Sequence, residues 1–373
     1  MRELDETTVG GPIGARLGAW RLRRGLTRED LASGAGLPLD YIVGLETGRE
    51  WMDRRGRLAA LAAALRLDVA DLTGQPYPPR GEEHAAVRAV AFHLRRRIAR
   101  PHPGTAAGLM LDELEERTRA AVQADAAGDE VGLALALPKL IDGAERAVAA
   151  ALAPGRAEAV RVQANVLGAG LLRRLGYRDL AWILLRRARP GPHEPLPVLV
   201  EEVRLLIDFG LPEYALARAE RVEDAGAGWD LPVLAAVAQA MAGRRRHADQ
   251  LLTTAAGRAT DARDSAMVVA ARAVVAAEHG DAEEAAGHAR AVDLSVLDGA
   301  QRSFLLTVAA AAEARQGRAD QAAARLIEAD AAAPLRLRLA PFARELVAAL
   351  AARTTDTVQA AAVRNLAEQA GMR

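Results

Sequence analysis

The fold is decided by the stretch Thr27-Arg-Glu-Asp-Leu-Ala-Ser-Gly-Ala-Gly-Leu-Pro-Leu-Asp-Tyr-Ile-Val-Gly-Leu-Glu-Thr-Gly48, which predicts two short helices joined by a tight turn. Thr27 is a suitable N-cap because its hydroxyl can accept a hydrogen bond from the first helical turn, and Asp30 follows three residues later. Gly36 ends the first helix, and Pro38 opens the second because its fixed φ suits the first helical position. A small domain that exposes one short helix in this way is typical of proteins that enter the DNA major groove.

The residues on either side of this stretch complete a compact five-helix domain, which we place at residues 13–74. A helix is predicted at its start, from Ile13 to about Arg24, and another amphipathic helix begins at Leu58. Residues 1–12, which precede the domain, are expected to form a flexible tail.

The segment Gln75-Pro-Tyr-Pro-Pro-Arg-Gly81 cannot be helical and is the clearest linker in the sequence. A helix is predicted next, from Glu82 to Arg100, and linker and helix together occupy residues 75–104. The last turns of this helix carry Arg95, Arg96, Arg97 and Arg100. One interpretation is a solvated helix end whose positive charge suits the helix macrodipole, and the other is an arm that contacts phosphates.

A pattern centred on glycine recurs through the second half of the chain. The glycines lie 34, 33, 37 and 37 residues apart, an alanine follows each of them by five residues, and they are Gly176, Gly210, Gly243, Gly280 and Gly317. Each repeat predicts a helix, a turn in which glycine permits a positive φ, and a second helix. The alanine is expected where the paired helices approach most closely. Because such pairs bury their apolar faces by stacking, residues 105–373 are predicted to form an α-solenoid.

The two ends of the array depart from this pattern. Gly128 is interpreted as the turn of an earlier, degenerate unit. Leu335 to Arg353 and Thr355 to Ala370 are predicted to form a terminal helix pair that caps the array. The whole chain is therefore predicted to be all-α, in agreement with its many Ala, Leu, Arg and Glu residues and its 3% aromatic content.

The composition excludes several classes of function. The formal net charge of the 373 residues is zero, so any nucleic-acid site must be a local patch. The absence of cysteine excludes disulfides and thiolate metal sites. No apolar run approaches the ~20 residues needed to span a bilayer, and the N-terminus does not have the pattern of a signal peptide. A cytoplasmic protein without a membrane partner is therefore expected.

No catalytic constellation is found in the sequence. The seven histidines are scattered, and none has the spacing of a metal site. The acidic residues pair with arginines at helical spacing, as solvated helix faces do. We therefore expect no enzymatic activity, no metal and no cofactor.

The N-terminal domain resembles the XRE-type helix-turn-helix of phage repressors and many bacterial regulators. The resemblance is carried by Arg21, the run from Gly25 to Ala32, Gly36, Ile42, Leu45, Glu46, Gly48 and the segment from Leu58 to Leu72. It implies a buried structural ion pair between Arg21 and Glu46. It also implies phosphate contacts at Thr27 and Arg28, where the start of a helix favours an anion. Further contacts with the DNA backbone are expected from the arginines that follow the motif, which are Arg49, Arg54, Arg55 and Arg57.

The base contacts implied by the resemblance fall on the second motif helix, at Leu39, Asp40, Tyr41, Val43 and Gly44. These residues differ from the Gln, Asn, Arg or Ser that a base-reading helix usually offers. From residue 14 to residue 73, ten arginines stand against eight acidic residues, and a local charge near +2 attracts DNA only weakly. Specificity would then depend on dimer spacing, DNA shape and flanking arginines.

The repeated units resemble tetratricopeptide (TPR) repeats, in which the first helices of stacked units line a concave groove. Six residues are projected into or near that groove: Gln163, Asn165, Arg173, Arg204, Met267 and Phe304. The alternative is that many of them pack between helices. The expected ligand is a peptide or an amphipathic helix whose acidic groups meet the arginines.

Regulators that combine an XRE-type domain with TPR repeats include peptide-responsive quorum-sensing proteins, which resemble one another in being homodimers. The sequence therefore predicts a transcriptional regulator that binds double-stranded DNA, with a solenoid for dimerisation and for binding a peptide or protein effector. The alternative is a TPR adaptor that scaffolds protein complexes and whose degenerate helix-turn-helix does not read DNA.

Overall fold

Every regular element in the described part of the chain is helical. The computed structural model describes residues 12–99, 110–151, 153–189, 195–220 and 228–372, and within these ranges it contains 21 α-helices and no strand. The all-α prediction is confirmed. No helix in these ranges is long and apolar enough to cross a membrane. The predicted tail lies outside the described residues except for Pro12.

The N-terminal domain consists of α1 (Pro12–Arg23), α2 (Arg28–Ala35), α3 (Leu39–Thr47), α4 (Arg55–Leu65) and α5 (Val69–Thr73). A capping box begins α2, because the Thr27 hydroxyl accepts from the Asp30 N–H at 3.0 Å and the Asp30 carboxylate accepts from the Thr27 N–H at 3.0 Å. Pro38 precedes α3 as its N-cap, one residue earlier than predicted. The core of the domain is apolar and includes Leu17, Leu31, Ile42, Leu45 and Leu61, each fully buried.

The segment between α5 and α6 (Gly81–Ala99) is not helical, as predicted, but it is firmly packed. The Gln75 amide donates to the carbonyls of Arg174 at 3.0 Å and Leu339 at 3.1 Å. Tyr77 is buried, and the Arg344 guanidinium lies 3.9 Å from the centre of its ring. This segment therefore fixes the N-terminal domain to the rest of the chain.

Five helix pairs follow the repeat pattern. They are α9 (Pro154–Leu175) with α10 (Arg178–Arg187), α11 (Leu196–Asp208) with α12 (Pro212–Ala219), α13 (Asp230–Met241) with α14 (Arg245–Arg258), α15 (Ala262–His279) with α16 (Ala282–Arg290), and α17 (Gly299–Arg315) with α18 (Ala319–Ala332). All five repeat glycines have a positive φ, between 73° and 89°. The alanine five residues after each glycine is at most 1% exposed in every pair. The pattern thus marks the reversal of the chain and the closest approach of the two helices.

An earlier pair, α7 (Leu111–Ala127) and α8 (Glu130–Ala149), turns at Gly128, which has a φ of 77°. This pair touches the far end of the array, since a Cβ at Gly128 would lie 2.4 Å from the Ala333 Cβ. Ion pairs join the same regions, with Asp125 and Glu130 both bonded to Arg174 and to Arg336. The first and last units of the array are therefore in direct contact.

The C-terminal segment differs from the predicted pair of helices. Residues 335–353 do not form one helix, because Pro341 lacks the N–H that a continuous helix would need. The segment contains α19 (Pro334–Leu339) and α20 (Pro341–Ala351), and α21 (Thr357–Gln369) follows. Helices α20 and α21 pack on α18 through Leu346, Leu350 and Val363.

The N-terminal domain packs against the ends of the first helices of the repeats. A Cβ at Gly210, the turn after α11, would lie 2.9 Å from the Ala59 Cβ of α4. A Cβ at Gly56 would lie 2.4 Å from the Met241 carbonyl oxygen at the end of α13. Phe342 of α20 packs on the core of the N-terminal domain. The two closest approaches therefore each require a glycine, at Gly56 and at Gly210.

Candidate nucleic-acid interface

The first motif helix, α2, presents its N-terminus at the surface. Thr27 is exposed and Arg28 is half-buried. Hydrogen bonds from the Thr27 N–H and hydroxyl lower the pKa of Asp30. Its carboxylate therefore stays charged and keeps its two bonds to Thr27 in the capping box. Thr27 and Arg28 thus lie where the macrodipole of α2 favours an anion.

Glu46 of α3 is shared by two arginines. Arg21 Nε lies 2.6 Å from Glu46 Oε1, and Arg28 Nε lies 2.7 Å from Glu46 Oε2. Burial alone would raise the pKa of Glu46, but the hydrogen bonds from the two arginines outweigh it and lower the pKa. The side chains of Arg21 and Glu46 are buried, whereas that of Arg28 is 41% exposed. The cluster therefore joins α1, α2 and α3 and leaves one guanidinium at the surface.

The second motif helix, α3, exposes only part of the predicted base-reading set. Leu39 and Asp40 are exposed, and Val43 is half-buried. Leu39, Val43 and Thr47 recur every four residues, so they form one stripe along the helix. This stripe is the surface that α3 offers to a groove.

Tyr41 and Gly44 are buried and do not belong to that surface, which contradicts their predicted role as base contacts. The Tyr41 hydroxyl lies 3.8 Å from Met52 Sδ, and the Arg57 guanidinium lies 4.3 Å from the centre of its ring. A Cβ at Gly44 would lie 2.7 Å from Glu50 Cγ. Both residues face the loop after α3, and that loop covers them.

The loop after α3, residues 48–54, contacts the repeats. Arg315 Nε lies 2.5 Å from Asp53 Oδ2, and Arg315 also pairs with Glu50 and donates to the Trp51 carbonyl at 2.8 Å. The Trp51 ring is buried, and the guanidinium groups of Arg315 and Arg353 lie 3.7 Å and 4.6 Å from its centre. Of the arginines expected to contact the DNA backbone, Arg49 is exposed.

The other three arginines of that set lie against protein groups. Arg54 would meet a Cβ at Gly280, Arg55 lies 5.1 Å from the centre of the Phe342 ring, and Arg57 lies over Tyr41. Arg54 and Arg55 pack against the second domain and Arg57 packs within its own domain, so the three do not form an exposed basic patch. Their spacing in the sequence does not indicate these contacts.

Two buried glutamates of the repeats hold backbone N–H groups of the N-terminal domain. Glu345 accepts from Ile13 at 2.6 Å and from Met52 at 3.2 Å, and Glu278 accepts from Gly56 at 2.6 Å and from Arg55 at 3.0 Å. Ile13 and Gly56 lie in the first turns of α1 and α4, so each carboxylate caps a helix of another domain. Burial raises the pKa of Glu278, and it raises the pKa of Glu345 to about 7. The sequence gives one sign of both glutamates, because each is an acidic residue within a mostly apolar helical stretch.

The predicted groove residues are not brought together as one lining. Asn165 is fully buried, and its amide donates to the Arg161 carbonyl at 2.8 Å, so it lies between helices and not in a groove. Arg173 is paired with Glu201 at 2.6 Å and Asp208 at 2.7 Å, which leaves little of it for a ligand. Gln163, Arg204 and Met267 are half-buried, and Phe304 is exposed.

The basic end of α6 is divided between protein contacts and solvent. Arg97 is buried and lies 2.6 Å from Asp142, whereas Arg95 and Arg96 are exposed and lie over the rings of Tyr177 and Phe92. A cavity of about 180 Å³ beside this end is lined by His93, Leu94, Arg96, Arg97, Pro138 and Asp142. Arg100 is outside the described residues.

In the part of the chain that is described, no group of three or more acidic or histidine residues is placed to hold a metal ion.

Comparison with known proteins identifies the N-terminal domain. A family model described as a helix-turn-helix domain matches residues 12–73. Residues 12–73 form a helix-turn-helix domain. The chain is also similar to a solved structure, that of ComR from S. thermophilus in complex with DNA and its signalling peptide ComS. The two sequences are 13% identical, the comparison covers 96% of this chain and 99% of that chain, and the TM-score is 0.29. No curated protein matches the chain.

Proposed function

We propose that the protein is a transcriptional regulator that binds double-stranded DNA through its helix-turn-helix domain. The observation that carries the proposal is the family match to residues 12–73 together with the surface formed by the start of α2 and the stripe of α3. In this motif the second helix enters the major groove and the first lies across the backbone. The chemistry is recognition, and no described site suggests catalysis.

The expected contacts are of two kinds, those that position the domain on the DNA backbone and those that recognise bases. Thr27, Arg28 and Arg49 would contact phosphates, which fix the register of the domain on the duplex without carrying sequence information. Leu39 and Val43 offer apolar contact with a thymine methyl, and Asp40 can accept from a cytosine amine. Because so few residues would contact bases, we expect the sequence-dependent shape of the DNA to contribute to specificity.

A gel shift on promoter fragments near the gene of the protein tests the proposal. We expect a salt-dependent complex that survives non-specific competitor DNA. The Arg28→Ala variant should bind all sequences more weakly, by about eightfold at 0.1 M salt, because one phosphate contact is lost. Arg290→Ala removes an exposed arginine from α16 and should leave binding unchanged. Absence of a complex above competitor for the unmodified protein would exclude the regulator.

Binding as a homodimer is part of the proposal. Two copies double the small number of base contacts and read two half-sites one helical turn apart. Light scattering should give the mass of two chains for the free protein and the mass of two chains plus one duplex for its DNA complex. A monomer mass in both samples, independent of concentration, would exclude it.

The repeats are proposed to bind a peptide or protein effector on the side where Phe304 is exposed. The support is that exposed apolar side chain and the partly exposed Gln163, Arg204 and Met267. Mass spectrometry of the purified protein should detect a co-purified peptide that Phe304→Ala releases. Failure to find any ligand with the unmodified protein would remove this part of the proposal.

The rival function is an adaptor whose helix-turn-helix does not read DNA. Specific observations favour it: Tyr41 and Gly44 are covered, and three of the four arginines after α3 lie against protein groups. The gel shift separates the two functions, because an adaptor would give no complex above competitor and would retain protein partners in a pull-down.

A further inference from the structure

The stripe of α3 continues onto the second domain. At its C-terminal end, Arg49 Nε lies 3.4 Å from Thr47 Oγ1. Arg353 follows α20 in the chain, and its Nη2 donates to the Arg49 carbonyl at 2.7 Å. A guanidinium group from the C-terminal part of the chain therefore lies directly beside the end of the helix that would enter DNA.

Arg353 has no carboxylate partner among the described residues. The acids near it, Glu50 and Asp53, are both paired with Arg315. The remaining contact of Arg353 is with the Trp51 ring. Burial and the positive charge of Arg315 lower the pKa of Arg353, and the negative charge of Glu50 opposes them. Because Glu50 and Asp53 are already bonded to Arg315, an anion that approaches Arg353 would meet a guanidinium without a carboxylate partner.

We propose that Arg353 contacts a DNA phosphate when α3 lies in the major groove, so that the repeats complete the DNA-binding surface of the helix-turn-helix domain. The inference rests on the proposed function. The anion is a phosphate of the DNA backbone because a helix in the major groove has a phosphate strand beside its ends, and the arginine fork matches phosphate geometry. The packing of the two domains then contributes to the affinity for DNA.

The test is a salt titration of binding to a fluorescein-labelled 30-base-pair duplex of random sequence, which needs no knowledge of the operator. Arg353→Ala should weaken binding about eightfold at 0.1 M salt and reduce the slope of log K against log[salt] by about 0.9, as expected for one lost phosphate contact. Arg353→Lys keeps the charge and should retain most of the slope. Arg364→Ala, which removes an exposed arginine from α21, is the matched control and should behave like the unmodified protein.

The outcomes separate three readings. Unchanged affinity and slope in Arg353→Ala overturn the phosphate contact and leave the proposed function intact. Weaker binding with an unchanged slope and an equal defect in Arg353→Lys shows that Arg353 only packs the loop, and this result also overturns the contact. No binding by the unmodified protein to this duplex overturns the inference, and it overturns the proposed function as well if the gel shift also gives no complex above competitor.

Discussion

Single residues in the helix-turn-helix domain serve structure and binding together. Glu46 is the clearest example, because it is bonded to the buried Arg21 and to the half-exposed Arg28. A phosphate that draws Arg28 away would still leave Glu46 paired with Arg21. The buried pair thus allows Arg28 to change partner without leaving an uncompensated charge in the core.

At this scale we predict that Glu46→Gln lowers the free energy of unfolding of the domain by about 3 kcal/mol, because it leaves the Arg21 guanidinium buried without a carboxylate. Urea denaturation followed by circular dichroism measures the change. Glu29→Gln alters an exposed acid of α2 and should change it by less than about 0.5 kcal/mol. Equal effects of the two substitutions would mean that the pair is not buried in solution.

The helix pairs show which elements a sequence predicts well. Gly243 and Ala248 have the same roles as their equivalents in every repeat, because both depend on contacts within one pair of helices. The sequence places Tyr41 and Gly44 on the base-reading surface, whereas the loop after α3 buries them. That loop is held by Arg315, which is 262 residues from Asp53 in the chain. Local geometry is periodic and visible in one sequence, whereas a contact between domains leaves no such pattern.

At the element scale we predict that Ala248→Leu lowers the free energy of unfolding by about 2 kcal/mol, because three carbons must enter a closed contact between α13 and α14. Ala256→Leu places the same side chain on the exposed face of α14 and should be nearly neutral. Thermal unfolding of the two variants gives the comparison. The equivalents of Ala248, which are Ala181, Ala215, Ala285 and Ala322, should respond in the same way if the repeat pattern reports packing. A stable Ala248→Leu protein would contradict that reading.

Over the whole molecule, the helix-turn-helix domain depends on the repeats for its own backbone hydrogen bonds. Glu345 and Glu278 satisfy N–H groups that would otherwise be unpaired at the starts of α1 and α4. The first of these bonds spans 332 residues of sequence, so it was not predictable from local pattern. The two domains therefore form one unit in which the exposed stripe of α3 has a fixed direction.

This dependence predicts a specific effect of pH. Burial raises the pKa of Glu345 from its ordinary value of 4.5 to about 7, against the opposing effect of its two backbone hydrogen bonds and of Arg16 and Arg344. A raised pKa means that the packed state binds the proton more tightly, so its contribution to stability is fully present below pH 4.5 and is lost as pH rises through 7. Between pH 6 and pH 8 the packed state should lose about 1 kcal/mol from this group.

Glu345→Gln removes the titration while keeping one acceptor oxygen for the two N–H groups. The free energy of unfolding of the unmodified protein, measured in urea at pH 6 and at pH 8, should fall by about 1 kcal/mol more than that of Glu345→Gln. The comparison cancels the contribution of every other group that the two proteins share. Identical pH dependence in the two proteins would show that Glu345 is ionised in the packed state across this range, and its carboxylate would then hold α1 and the loop after α3 as a full charge.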